Sequence, residues 1–211
     1  MTAALLHISV SPRLDASHSR RAGTMLLTTI SSAMPALRVI RRDLGAAPVP
    51  HPDAAFVRAT VMTDEQRGPA ERAALAVSET LIAELEAAEL VVIDTPMNNF
   101  TVPSALKSWI DLVVRPRRTF AQTPQGKLGM LRDRPVFVLI ACGGSFGEAP
   151  GLQTDFFLPY LRYTLGCIGI SDVRALKLER MTRGETEVAN SYAAAESWIA
   201  TQVATLKHDR R

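Results

Sequence analysis

The sequence alternates five times between a short apolar run and a longer segment with helical spacing. The apolar runs, which predict strands, occupy 3–10, 37–44, 90–94, 135–144 and 172–180. The helical segments occupy about 19–34, 69–88, 103–114, 153–169 and 186–206. This alternation is typical of an α/β protein in which helices cover both faces of a parallel sheet. Because neither an internal repeat nor a long linker divides the chain, we predict one domain over 1–211.

The predicted α/β pattern also indicates where a ligand would bind. Five parallel strands covered on both faces fit a doubly wound, flavodoxin-like sheet, for which the usual strand order is 2-1-3-4-5. In such a sheet the loops that follow the strands lie along one edge, and ligands bind there. The polar, Arg-rich segment 115–134 is predicted to be a loop.

Composition and charge argue against several classes of protein. The formal net charge of +3, spread along the chain, is too small for a nucleic-acid-binding protein. No apolar run reaches the roughly eighteen residues of a membrane span, and the N-terminus lacks the features of a signal peptide. Cys142 and Cys167 are expected to stay reduced, so we predict a cytoplasmic protein. No metal site is predicted, because the four histidines show no ligand spacing.

The loop after the first strand, SPRLDASHS, is rich in hydroxyl groups. Ser11, Ser17 and Ser19 lie just before or at the start of a predicted helix. Hydroxyls and the free N–H groups of a helix N-terminus can hold a phosphate without a lysine. Ordinary helix capping by serine is an alternative explanation that stays open. The glycine fingerprint of dinucleotide sites and the Gly-Lys-Ser/Thr of triphosphatases are both missing, so a bound phosphate would belong to something smaller than a nucleotide pyrophosphate.

The loops after the third and fourth strands, PMNNF and ACGGSFG, suit a flat ligand. Asn98 and Asn99 offer amides that donate and accept in one plane, and Met97 and Phe100 add apolar faces. The adjacent glycines of the second loop allow a ligand to approach the backbone closely. Capping of the next helix by Asn is the alternative for PMNNF alone. A phosphate at one loop and a flat heteroaromatic ring between the other two together describe flavin mononucleotide (FMN).

Four stretches of the sequence resemble the FMN-dependent azoreductases, a family also described as NADH:quinone oxidoreductases. They are SPRLDASHS, TPMNNFTVPSALKSWIDLVVRPRRTF, part of GGSFG, and FLPYLRYTLGCIGISDV, and the resemblance runs over nearly the whole chain. It implies FMN as cofactor, NADH or NADPH as electron donor, and reduction of quinones and azo compounds by a ping-pong reaction in one shared pocket. It also implies a homodimer with two active sites at the interface.

The same resemblance gives roles to particular residues. The FMN phosphate would be held by residues of the first loop, which are Ser11, Ser17, His18 and Ser19. The isoalloxazine ring would be bordered by residues of the other two loops, which are Met97, Asn98, Asn99, Phe100, Ala141, Cys142, Gly143 and Gly144. Phe120 matches an aromatic residue that helps to enclose the substrate. No residue is predicted to act as an acid or base, because the flavin carries the chemistry.

The sequence departs from the family pattern at two places beside the expected ring. Asn98 stands where the family usually has Tyr, which removes an aromatic wall and is expected to alter substrate preference. Ala141 and Cys142 replace a hydroxyl-bearing residue and its neighbour, which removes one hydrogen bond to the ring. Backbone donors are unaffected by either change, so FMN is expected to bind.

Three further interpretations are weaker. GGSFG matches the Gly-x-Ser-x-Gly elbow of α/β-hydrolases, but no helix is predicted to begin at Ser145, and the only later histidine is His208. A flavodoxin-type electron carrier without its own NADH oxidation is an alternative, although such carriers tend to be acidic and this chain has a pI of about 9.1. Arg115, Arg117 and Arg118 could meet a cofactor phosphate, but a solvated loop or a dimer contact is favoured.

Overall fold

The computed structural model describes residues 3–209, with side chains described as far as Lys207. The strands of this part of the chain are β1 (Ala4–Ser9), β2 (Arg38–Asp43), β3 (Ala88–Pro96), β4 (Phe120–Thr123), β5 (Gly126–Gly129), β6 (Val136–Ala141) and β7 (Val173–Leu178). Its α-helices are α1 (His18–Ala33), α2 (Ala54–Val61), α3 (Pro69–Ala87), α4 (Ser104–Val113), α5 (Phe157–Cys167) and α6 (Glu185–Asp209).

Five of these strands form one parallel sheet in the order β2-β1-β3-β6-β7. Counted along the chain, this is the order 2-1-3-4-5, so the predicted flavodoxin-like sheet is confirmed. In the register of the sheet, Ser9 at the end of β1 lies opposite Asp43 on β2 and Asp94 on β3. The loops after the strands therefore leave the sheet together, at what we call the carboxyl edge. The opposite end of the sheet is the amino edge.

The sheet is buried on both faces, which explains its continuous apolar runs. Leu6 and Ile8 of β1 belong to the core beneath α2, α3, α4 and α5. Leu5 belongs to the separate core beneath α1 and α6, and all three leucine and isoleucine side chains are fully buried. The sheet is thus the middle of three layers.

One polar cluster is buried between the sheet and α1. Asp94 is completely buried, accepts a hydrogen bond from Ser9 Oγ at 2.8 Å, and lies 2.5 Å from His7 Nε2. Helix α1 passes directly over this carboxylate at Gly23, where an added Cβ would lie 2.5 Å from Asp94 Oδ2. A buried carboxylate needs such partners to offset the cost of losing water. The cluster ties β1, β3 and α1 together just below the carboxyl edge.

Two helices differ from the prediction. Helix α2 lies where no helix was predicted, and Asp53 caps it by accepting the N–H of Phe56 at 2.7 Å. Helix α5 begins at Phe157 rather than at residue 153. Pro159 lies in its first turn, where a missing N–H breaks no helical hydrogen bond, so the helix continues through it.

The predicted loop 115–134 contains an antiparallel hairpin made by β4 and β5. At its start, Arg115 is only 1% exposed, and its Nη1 lies 2.8 Å from Glu79 Oε1 and 2.9 Å from Ser78 Oγ. Arg118 pairs with Glu79 at 2.9 Å and with Glu86 at 2.6 Å. The prediction of a solvated loop was therefore wrong for Arg115, whose guanidinium is used to fasten this segment to α3.

At the amino edge, a buried arginine closes the junction between α3 and β3. The Nη1 of Arg134, which is 4% exposed, donates to the carbonyl oxygens of Leu85 and of Ala88, the latter at 2.6 Å. Its neighbour Asp133 accepts the N–H of Ser171 at 2.9 Å. Burial alone would raise the pKa of Asp133, but the hydrogen bonds it accepts outweigh burial and lower that pKa.

Candidate functional site

Three neighbouring loops at the carboxyl edge contain most of the predicted site residues. They are loop one (10–17, after β1), loop three (97–103, after β3) and loop four (142–156, after β6). Loop one is joined to β3 by the N–H of Val10, which donates to the carbonyl of Asp94 at 2.9 Å. Loop three is joined to β6 by the N–H of Met97, which donates to the carbonyl of Ala141 at 2.9 Å. The sheet therefore fixes the bases of all three loops relative to one another.

Loop one and the start of α1 present hydroxyl and N–H groups together. Ser11, Ser17 and Ser19 are each 5% exposed or less, and the hydroxyls of Ser17 and Ser19 are 3.1 Å apart. Ser17 is the N-cap of α1 and accepts the N–H of Arg20. Within residues 3–209, the N–H groups of His18 and Ser19 donate to no protein acceptor. Free N–H groups at a helix N-terminus beside buried hydroxyls form a site suited to an anion.

An ion pair holds loop one against β2. Arg20 donates from Nε to the carbonyl of Ser11 at 2.9 Å, and its Nη atoms lie 2.8 and 2.5 Å from the carboxylate of Asp43. The hydrogen bond from Arg20 is the main reason that the pKa of Asp43 is lowered to about 2. An added Cβ on Gly45 would lie 2.3 Å from the Ser11 oxygen, so this close approach needs glycine.

The side chain of His18 points away from the three serine hydroxyls. Its Nδ1 lies 2.9 Å from the hydroxyl of Tyr192 on α6. Burial, followed by the charges of Arg13 and Arg21, lowers the pKa of this imidazole below its usual value. The imidazole is thus engaged by Tyr192, while the backbone N–H of His18 at the start of α1 has no acceptor among residues 3–209.

Loop three is a tight turn with a strained backbone. Asn98 and Thr101 exchange two backbone hydrogen bonds of 3.1 Å each, and they enclose Asn99 at φ 46° and Phe100 at φ 72°. Positive φ at both central positions defines a hairpin turn that usually contains Asn-Gly. A bulky residue in this left-handed region costs roughly 1–2 kcal/mol, and such strain clusters at functional sites. The turn leaves Phe100 47% exposed.

Loop four, which follows β6, contains three successive N–H groups without an acceptor. In the described part of the chain, the N–H groups of Gly143, Gly144 and Ser145 find no acceptor. The carbonyls of the two glycines are held, one by Thr182 Oγ1 at 3.2 Å and the other by the N–H of Arg180 at 3.2 Å. The backbone is thus fixed through its carbonyl groups while three donors remain available.

Ala141 and Cys142 hold this loop in place rather than offer donors. The carbonyl of Ala141 accepts from Met97, and the N–H and carbonyl of Cys142 both bond to the chain at the end of β7 and just after it, at 2.8 and 2.9 Å. The thiol of Cys142 is 1% exposed, and burial is the main cause that raises its pKa to about 12. Of the four residues predicted here, only Gly143 and Gly144 can bring N–H groups to a ligand.

Phe146 is a residue of this edge that the sequence analysis missed. Its ring centroid lies 6.3 Å from that of Phe100, with the ring planes at 66°. Its N–H donates to Glu179 Oε1 at 2.9 Å, and its carbonyl accepts from Lys177 Nζ at 3.3 Å. The signal was an aromatic residue in a glycine-rich loop, but the sequence analysis gave roles in this loop only to its glycines, to Ala141 and Cys142, and to Ser145.

Two other residues that the sequence analysis proposed for the site make contacts within the chain. Phe120 is 7% exposed and lies under Lys127, whose Nζ is 4.6 Å from the ring centroid; its role toward a substrate stays a prediction. Ser145 Oγ accepts from Arg180 Nε at 3.0 Å, and no helix begins at this serine. The strand-turn-helix of a hydrolase elbow is therefore not formed. The side chain of His208 lies outside the described residues.

Among the described residues, no helix has both the length and the apolarity that a membrane crossing requires. The same residues contain no group of three or more His, Cys, Asp or Glu side chains that could hold a metal ion. Cys142 and Cys167 are both free thiols.

Comparison with known proteins decides the family. The model of the flavodoxin-like fold matches residues 3–203. An FMN-dependent NADH:quinone oxidoreductase of Cupriavidus pinatubonensis is 54% identical over 197 residues, which cover 93% of this chain and 96% of that protein. The chain belongs to the family of FMN-dependent NADH:quinone oxidoreductases. The resemblance seen in the sequence is thereby confirmed.

Two solved structures share the fold of this member of the quinone oxidoreductase family. An azoreductase from Bacillus anthracis has a TM-score of 0.85 at 22% identity, covering 95% of this chain and 98% of that one. An FMN-dependent NADH-azoreductase from the same species, solved in complex with FMN, has a TM-score of 0.81 at 21% identity, covering 95% and 99%. At these identities the likeness shows the fold alone.

Proposed function

We propose that this chain is an FMN-dependent NADH oxidoreductase that reduces quinones and azo compounds. One observation carries the proposal: N–H donors without a protein acceptor within residues 3–209 occur at two loops of one sheet edge, at His18 and Ser19 and again at 143–145. A ligand with a phosphate at one end and a flat, heteroatom-rich ring at the other would use both sets. The names of the relatives describe FMN-dependent reactions with quinones and azo compounds.

The residues of loop one fit a phosphate monoester. Ser11, Ser17 and Ser19 bring three hydroxyls to the N-terminus of α1, where the helix dipole favours a negative charge. A hydrogen bond to a charged group contributes about 1.5–3 kcal/mol, so a phosphate that accepts from the N–H groups of His18 and Ser19 would be held firmly at this loop. Arg20 would keep the loop in the geometry that receives it.

The residues of loops three and four fit the ring of FMN. The N–H groups of Gly143, Gly144 and Ser145 would meet its polar edge, and donors placed there would stabilise the negative charge that the ring gains on reduction. Met97 and Phe100 would supply apolar contacts to its faces. The amides of Asn98 and Asn99 would add hydrogen bonds in the plane of the ring.

When bound, FMN would supply the redox chemistry, accepting a hydride from NADH and passing two electrons to the acceptor in a separate half-reaction, a ping-pong scheme. The chain would contribute orientation and exclusion of water. Phe100 would keep water from one side of the pocket, and the loop backbones would keep donor and acceptor in one shared place. NADPH is a second donor to compare with NADH.

An absorption spectrum tests the proposal most directly. The purified protein would be mixed with FMN, desalted, and then titrated with NADH in the absence of oxygen. We expect the visible bands of oxidised flavin to remain after desalting and to bleach on addition of NADH. A colourless protein would contradict FMN binding. Bound flavin that NADH does not bleach would favour the electron carrier.

We also propose that the enzyme is a homodimer. Large apolar side chains are exposed on the described surface, including Leu128 (61%) on β5, Met130 (53%) just after it and Tyr163 (75%) on α5. Exposed apolar surface of this kind often marks a protein interface. Light scattering during gel filtration is expected to give twice the chain mass of 23.0 kDa. A monomer at all concentrations would contradict the proposal.

A further inference from the structure

Phe100 and Phe146 come from different loops but form one aromatic surface at the carboxyl edge. Their centroids are 6.3 Å apart and their planes are at 66°, an edge-to-face geometry that aromatic pairs favour. A third flat ring inserted between them would need about 7–8 Å, twice the optimal carbon–carbon separation. A ligand therefore meets the two rings as a single wall.

The backbone that carries each ring is held by a different constraint. At Phe100 it is held by the tight turn at φ 72°, which two backbone hydrogen bonds close. At Phe146 the N–H is held by Glu179 and the carbonyl by Lys177, which in turn pairs with Asp155 at 2.9 Å. A wall that is already ordered costs a ligand little conformational entropy.

We propose that Phe146 is a specificity-determining residue of this enzyme and that it forms, with Phe100, the wall against which flat aromatic acceptors lie. The inference rests on the proposed function, because it places the acceptor beside loops three and four. Position 98 carries Asn, which has no aromatic ring. Loop three therefore contributes one ring, that of Phe100, and loop four contributes the other.

The substitution Phe146→Leu tests this role. Leucine keeps an apolar side chain against the core, where Phe146 is partly buried, but it removes the flat face. The FMN-loaded enzyme would be assayed with a naphthoquinone and with ferricyanide, an acceptor without a flat ring. We expect kcat/KM for the naphthoquinone to fall about three- to tenfold, the range of one aromatic contact, while the ferricyanide rate is unchanged.

Three further variants make the test specific. Phe156→Leu is the matched control, because Phe156 is a 59% exposed aromatic residue in the same loop, and it should alter neither rate. Phe146→Tyr keeps the ring and should keep the naphthoquinone rate, even if the leucine variant folds poorly. Combining Phe146→Leu with Phe100→Leu should reduce the naphthoquinone rate by less than the product of the two single effects, because both rings serve one wall.

Several results would overturn the inference. Equal losses with naphthoquinone and ferricyanide would show general damage to the site, and no loss with either, at full FMN content, would show that Phe146 does not meet the acceptor. A loss in Phe146→Tyr as large as in Phe146→Leu would also overturn it. Failure of the proposed function is seen separately, in wild-type protein that does not retain FMN or that NADH does not reduce, and it would overturn both.

Discussion

The two edges of the parallel sheet differ in how far their backbone polar groups are paired. At the amino edge, Arg134 donates to two buried carbonyls and Asp133 accepts from the N–H groups of Ser171 and Asp172. At the carboxyl edge, Arg20 and Glu179 also bind backbone groups, but within residues 3–209 the N–H groups of His18, Ser19 and 143–145 have no acceptor. The carboxyl edge therefore keeps a set of donors free for a ligand.

Backbone strain is more frequent at the carboxyl edge. Four of the five described non-glycine residues with positive φ lie in the connections after β1, β3 and β7, namely Leu14 (47°), Asn99 (46°), Phe100 (72°) and Arg180 (58°); the fifth is Arg117 (61°), between α4 and β4. Strain is tolerated where surrounding structure imposes it, and it is concentrated at sites of function. We therefore expect substitutions at the amino edge to change the stability of the fold, and substitutions at the carboxyl edge to change the affinity for FMN.

The largest effect is expected from Arg134→Leu. The substitution leaves the carbonyls of Leu85 and Ala88 buried without a donor, at about 1–3 kcal/mol each. The free energy of unfolding in urea should therefore fall by about 2–5 kcal/mol, while the folded variant keeps its affinity for FMN. Arg132→Leu, which changes an exposed neighbour, is the control. A variant that is as stable as wild type but no longer binds FMN would contradict the prediction that the amino edge affects folding rather than binding.

The substitution Ser19→Ala tests whether a change at the carboxyl edge acts on binding. The hydroxyl of Ser19 is fully buried and meets Ser17 Oγ at 3.1 Å, so its loss should lower the free energy of unfolding by about 1 kcal/mol. A hydrogen bond to a charged group contributes about 1.5–3 kcal/mol, so the dissociation constant for FMN should rise by about tenfold or more. Fluorescence titration measures it, with Ser31→Ala on the exposed side of α1 as control. Unchanged affinity would rule out a role for this hydroxyl.

Phe100→Gly should separate strain from binding. Relief of the left-handed strain offsets the entropy that glycine loses on folding, about 0.5–1 kcal/mol, so stability should stay within about 1 kcal/mol of wild type. The apolar contact with the flavin would be lost, and FMN affinity should fall. Thermal unfolding and FMN titration give the two quantities. A strongly destabilised variant would show that the turn is structural.

The smallest effect is expected when the pH is lowered. The pKa of Asp43 is lowered from 3.8 to about 2, so its pairing with Arg20 is complete above pH 3.8 and is lost as the pH falls toward 2. Loop one should loosen over that interval and release FMN, which becomes fluorescent. Asp43→Asn should remove this pH-dependent step. Superimposable release curves for wild type and variant would contradict a role for the ion pair in holding loop one.

The strands of the sheet could be predicted because each is an apolar run buried by its neighbours. Helix α2 could not, since it has eight residues and follows a Pro-rich segment, so Asp53 was its only clear start signal. Strands β4 and β5 have four residues each and are fixed by pairing with one another rather than by their own pattern. Length and local pattern therefore decide which elements a sequence reveals.

The sequence predicted where the site lies but not which side chains contact one another there. A parallel sheet brings the loops of β1, β3 and β6 to one edge, so the serines and glycines were found there. The imidazole of His18 turns to Tyr192, 174 positions away along the chain, which no local pattern indicates. The contact between Phe100 and Phe146 likewise depends on the shapes of two loops.

The buried thiol of Cys142 has a practical consequence for labelling. Burial raises its pKa to about 12, so the thiol stays protonated at neutral pH, and the sulfur is shielded from reagents by the core. Cys167, partly exposed at the end of α5, is the other cysteine of the chain. A maleimide dye would therefore attach at Cys167, and the natural sequence can be labelled at this single position without substitution.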